Sequence, residues 1–111
     1  MANVYRKINT DLVAATVNTA YTVPDNSRAL VKSIHVYNNG AGAASVTLTI
    51  GDYASGTDFV YEKNGTLAQY AKEDFVANIL VLEEQDTLKL LSDITGPDVT
   101  ISLLEINRED K

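Results

Sequence analysis

The chain has no cysteine and no tryptophan among its 111 residues, and only one histidine, one methionine and two prolines. Without cysteine there can be no disulfide, thiolate metal site or thiol nucleophile. This absence fits assembly in a reducing compartment. The lone histidine, His35, has no second imidazole beside it for a metal site and argues against a histidine-based triad. Long apolar runs are missing too. The longest, Ile79 to Leu82, falls well short of the roughly 18 residues that span a bilayer. The opening Met-Ala-Asn-Val-Tyr-Arg-Lys lacks the apolar stretch of a signal peptide. These features predict no membrane partner and a chain that stays where it is made. Basic residues are sparse, nine against fifteen carboxylates, for a net charge of −6. The close basic pair Arg6-Lys7 is not the stripe of a nucleic-acid binder. Nucleic acid is not an expected partner.

What the sequence does contain is short alternating segments cut by turn residues, the pattern of half-buried strands. Asp11 to Asn18 reads as a first candidate, with Leu12 and Val13 as apolar anchors. Pro24-Asp25-Asn26-Ser27 reads as a turn. Arg28 to Asn38 is the longest strand candidate. There Ile34, Val36 and Leu30 are expected on one face, and Val31, Ser33, His35 and Tyr37 on the other. Lys32 falls on the apolar parity, which predicts a bulge near Lys32-Ser33. Asn39-Gly40 opens a longer connection. Ser45 to Gly51 alternates Val46, Leu48 and Ile50 with Ser45, Thr47 and Thr49, the mark of an antiparallel sheet with one wet face. Asp58 to Lys63 is strand-like, with Phe59 and Tyr61 on one face, and Asn64-Gly65 reads as a second turn. Residues 71–84 read either as two short or irregular strands around Ala77-Asn78 or as a helix carrying Phe75, Ile79 and Leu82. Glu83 to Asp86 is a turn. Strands follow at Leu88 to Leu90 and Val99 to Leu103, around a loop at Asp93 to Asp98.

The expected fold class is therefore all-β: an antiparallel β-sandwich or jelly roll of about eight short strands, spaced roughly 8–12 residues apart. One domain is expected to fill residues 1–111. Residues 1–10 are its N-terminal arm or first strand, and 107–111 a polar tail.

Few residues carry a chemical signal. Asp52 and Asp58 flank a small-residue loop, but their spacing is not that of a calcium loop. Glu83, Glu84 and Asp86 cluster in a turn with nothing to set them across a cleft, as glycosidase chemistry would need. Asn64-Gly65-Thr66 has the form of a glycosylation acceptor, but the turn reading is preferred. There is no phosphate-cradling glycine loop and no serine elbow. No catalytic residue, metal or cofactor is predicted. Tyrosine, with its apolar ring and polar tip, is enriched at interfaces. The interface candidates are Tyr5, Ile8, His35, Tyr37, Tyr53, Tyr61 and Tyr70. Tyrosines stacking on sugars would serve a monomeric carbohydrate- or receptor-binding module instead.

Several segments resemble small virion proteins of tailed bacteriophages, marine and cyanobacterial ones included. Thr22 to Asn39 is similar to a pattern in which a Val-Pro turn leads into a strand ending in Asn. A Thr/Val strand follows at Ser45 to Ile50, then Val81-Leu-Glu-Glu-Gln-Asp-Thr-Leu88, then a closing Glu105-Ile106. The pattern usually has glycine before the aspartate, where this chain has Gln85. The resemblance implies a β-sandwich head, neck or tail component without catalytic residues. Its expected partners are copies of itself and other virion proteins, and its expected place is the virion, assembled in the host cytoplasm.

Overall fold

The computed structural model describes residues 2–76 and 78–107. These form nine strands and no helix: β1 Ala2–Asp11, β2 Asn18–Thr22, β3 Ser27–Tyr37, β4 Ala44–Asp52, β5 Thr57–Leu67, β6 Lys72–Asp74, β7 Leu80–Leu82, β8 Thr87–Ser92 and β9 Asp98–Asn107. Two antiparallel sheets result. The first runs β1-β9-β3, with β6 and β7 both on the far edge of β3; the second runs β2-β8-β4-β5. If β6 and β7 are taken as one broken strand, the outermost strands of the chain pair with each other, then the next pair in, down to the central hairpin β4–β5. That is a long antiparallel ribbon rolled on itself, the jelly-roll form of the sandwich.

Alternation explains why these segments fold this way. In β4, Val46 and Leu48 are buried while Ser45, Thr47 and Thr49 face outward. In β9, Val99, Ile101 and Leu103 are buried against alternating half-exposed neighbours. Leu12, Val23, Val31, Ile34, Val36, Leu82, Leu88 and Leu90 are fully buried as well. Each such side chain stabilises the fold by about 1.5–3 kcal/mol relative to leaving it in water.

Several expectations need correcting. Asp11 to Asn18 is not a strand. β1 ends at Asp11 and β2 begins at Asn18, and of the two supposed anchors Leu12 is buried but Val13 is exposed. The bulge in β3 lies between Val31 and Ser33. It reverses the parity, so that Ala29 and Val31 face the core and Leu30 faces out. Asn64-Gly65 is not a turn, because β5 continues through it. The register against β4 shifts there and again near Tyr61. The second shift leaves Tyr61 as an unpaired extra residue, so Phe59 and Tyr61 do not share a regular face. Residues 71–84 follow the strand reading, with the short strands β6 and β7 and no helix among the described residues, but the strands lie elsewhere than expected. Phe75 and Val76 lie between them, buried but outside either strand. Ala77 and most of the polar tail (108–111) lie outside the described residues.

Each end of the sandwich is held by one buried polar side chain. At one end the Asn38 amide donates to the carbonyls of Gly42 (2.8 Å) and Leu67 (2.9 Å) and accepts from the Gly40 N–H (3.0 Å). There Gly96 has φ 131° and lies so close to Gly40 that a Cβ on it would sit 2.6 Å from the Gly40 Cα. Only glycine fits both constraints. At the other end the Asp86 carboxylate accepts from the backbone N–H groups of Tyr53 (3.0 Å) and Glu83 (2.9 Å). Gln85 precedes it at φ 70°, a left-handed conformation that favours glycine.

Candidate functional site

The jelly roll has two outer faces and two loop ends, and the interface candidates are spread over all of them. Tyr5 stands on the outer face of β1, with its ring 5.4 Å from the Lys32 ammonium. Ile8 lies opposite Ile101 and packs against the core, so it belongs to the interior. His35 is on the outer face of β3, between Thr100 and Asp74. Its Nδ1 is buried without a hydrogen-bond partner among the described residues. Tyr37 ends β3. Tyr53 lies in the β4–β5 loop at the Asp86 end. Tyr61 is on β5. Tyr70 is in the β5–β6 loop at the Asn38 end, exposed and at φ 64°, an outlying conformation for so bulky a residue. These positions do not line one groove.

What the strand register brings together is a row that sequence reading missed. Tyr5 is paired with Leu104, Leu104 with Leu30, and Leu30 with Val81. All four point outward, making an apolar stripe across the first sheet. Tyr5 is 74% exposed and Val81 53%. The adjoining row pairs Asn3 with Ile106 and Ile106 with Arg28. On the other side Lys7 lies opposite Ser102, which pairs with Ser33 beside the bulge residue Lys32. Of the row, Tyr5 alone was an interface candidate in the sequence; the outward parity of Leu104 and Ile106 in the last strand was the further signal available. Leu30 was masked by the bulge.

The second sheet's outer face differs. Thr47 and Thr49 lie opposite Leu91 and Lys89, around a shallow depression closed on one side by the Lys89–Asp58 ion pair at 3.1 Å. Asp58 is therefore a surface ion-pair partner, worth little to stability. Asp52 accepts from the Ser55 hydroxyl at 3.1 Å within its own turn. No group of three metal-ligating side chains converges among the described residues.

Two further polar sites are structural. The Tyr21 hydroxyl donates to Glu105 Oε2 at 2.6 Å, and Arg6 reaches the same oxygen at 3.4 Å. Tyr21 belongs to the second sheet, and Glu105 and Arg6 to the first, so this buried network ties the sheets together. Burial and the adjacent Glu105 carboxylate push the Tyr21 phenol well above its usual range. Asp98 pairs with Asp11 across β1 and β9. The hydrogen bond with Asp11 raises the Asp98 carboxyl above its usual range, and desolvation and Asp11's charge add to the shift.

No protein family matches the sequence, and no curated protein is significantly similar to it. Solved structures share the fold. One is from the T13 particle of the virus IBDV: TM-score 0.60, 12% identity, covering 96% of this chain and 31% of that one. The present chain thus spans about a third of that protein. Another is from the acid-stable capsid of Helicobacter pylori bacteriophage KHP30: TM-score 0.58, 10% identity, covering 95% of this chain and 87% of that one. A third is from the disulfide-linked endospore appendage pili of Bacillus: TM-score 0.51, 16% identity, covering 93% and 85%. The structural neighbours of this all-β sandwich thus include viral capsid proteins with jelly-roll folds.

Proposed function

We propose that the chain is a non-enzymatic structural subunit of a tailed-phage virion, either a capsid decoration subunit or a neck or tail adaptor. It acts as one domain, by docking and oligomerising in many copies. The observation that carries this reading is the similarity to the phage KHP30 capsid chain over nearly the full length of both. The outward apolar row from Tyr5 to Val81 supports it, since a continuous apolar strip on a sheet face is the mark of a surface that becomes covered. The scatter of Tyr37, Tyr53, Tyr61 and Tyr70 over different ends and strands counts against a tyrosine-lined sugar groove. The partners are other copies and other virion proteins, and neither nucleic acid nor membrane. The test is native mass by light scattering over a concentration series, with negative-stain imaging of the particles formed. Rings point to the adaptor role, and trimers or lattice-matched clusters to decoration. A strict monomer that binds members of a glycan panel would replace this reading with a carbohydrate-binding one.

A further inference from the structure

We infer that the half of the first sheet's outer face around Tyr5 is the seat of a second copy of this chain, which docks through its paired acidic loops 23–26 and 83–86. The inference rests on the assembly reading above and adds the partner surface and the polarity of the contact. The face combines two features. One is the apolar row Tyr5–Leu104–Leu30–Val81, extended by Ile79, which is 58% exposed. The other is charge. Lys7, Arg28 and Lys32 point outward here, and the outward positions of β1, β3 and β9 between Asn3 and Lys7, Arg28 and Ser33, and Ser102 and Ile106 hold no carboxylate; the acidic loops 23–26 and 83–86 border this half of the face at Arg28 and Val81. This is a cationic, apolar island on a molecule of net charge −6.

Copies carrying that net charge repel one another. A close contact between them must therefore set the cations of one against anions of the next. The acidic loops supply them. Asp25, Glu83 and Glu84 lie there with no lysine or arginine in either loop. The loops are rigidly paired: the Asn26 N–H donates to Glu84 Oε2 at 2.9 Å, Val23 N–H to the Asp86 carbonyl at 2.9 Å, and Gln85 to the Asp25 carboxylate. Such a preorganised partner costs little ordering entropy on docking. Face-to-face pairing about a twofold axis would press the same lysines and arginines together. Charge therefore selects a contact of face to loop, made reciprocally about a twofold axis or head to tail into a ring or filament.

The experiment uses two variants with substitutions at exposed positions: Lys7→Glu/Lys32→Glu on the face and Glu83→Lys/Glu84→Lys on the loop. Native mass is measured by analytical ultracentrifugation at low ionic strength, with circular dichroism confirming the fold. Glu83→Lys alone keeps the Asn26–Glu84 bond and serves if the double loop variant is unstable. The expected result is that wild type assembles, and that added salt loosens the assembly. Each variant alone associates about tenfold more weakly or worse. An equimolar mixture assembles again, because each variant offers the surface the other needs. Loss in the face variant alone, with the loop variant behaving as wild type, overturns the inference in favour of a face-to-face contact. Wild-type assembly in both variants also overturns it, while the virion-subunit reading stands. A wild type that stays monomeric at all concentrations removes this contact and every self-assembling form of that reading together.

Discussion

The two outer faces of the jelly roll obey the same strand alternation yet carry different chemistry. On the second sheet the outward residues mix Thr47 and Thr49 with Leu91 and Val60 beside the Lys89–Asp58 pair, without lining up as one apolar row. On the first sheet they are tyrosine, leucine and valine flanked by lysine and arginine. Alternation constrains only the inward positions, because burial there dominates stability. The outward positions are left to solubility on one face and, in our reading, to association on the other.

This contrast can be broken at the scaffold both faces share. Asn38→Ala removes three hydrogen bonds at a buried position and leaves the Gly42 and Leu67 carbonyls and the Gly40 N–H without that partner. It should lower stability by about 3 kcal/mol, read as a reduced urea midpoint, and damage both faces together. Tyr21→Phe cuts the link between the sheets and leaves Glu105 with Arg6 alone. A loss of about 1–2 kcal/mol is expected from the same unfolding curves. In wild type, Tyr21 should resist ionisation in an alkaline ultraviolet titration. Its folded pKa lies above its unfolded value, so its contribution is complete below about pH 10 and is lost as pH rises further.

Gln85→Gly relieves a left-handed backbone conformation and should raise stability by up to about 1 kcal/mol in thermal melts. Asp98→Asn acts on a largely exposed pair, so its effect should stay near 0.5 kcal/mol. Its sign is definite: the folded carboxyl binds its proton more tightly than the unfolded one, so wild type loses stability as pH rises above about 4. The variant should lack that slope and be slightly more stable at neutral pH. Val81→Thr and Val60→Thr sharpen the comparison of faces most directly. Each should change stability by less than about 0.5 kcal/mol. Only the first, on the apolar row, should weaken association in sedimentation.

Much of the fold was legible because burial writes a period of two into the chain. Ser45 to Ile50 and Val99 to Leu103 show it without interruption, and the conflict at Lys32 exposed the bulge. Legibility failed where a local signal had two structural uses. Asn64-Gly65 suits a turn or a bulge equally, and only the length of the paired β4 decides that β5 runs on. Leu12-Val13 resembles a strand start, but Leu12 is held by the loop end and not by a ladder. Tyr21 and Glu105 carried no visible link, since they lie far apart in sequence and meet only when the two sheets close.

The sequence alone determined the all-β class, the antiparallel character, the lack of a cysteine or multi-histidine site, and most inward positions, because each follows from local residue types and their period. Only the tertiary structure decided which strands are neighbours. That set the rolled order of the two sheets, the polar groups that hold each end, and the apolar row on the first sheet's outer face. The row is built from residues on β1, β9, β3 and β7, and nothing local in the chain encodes the register that aligns them.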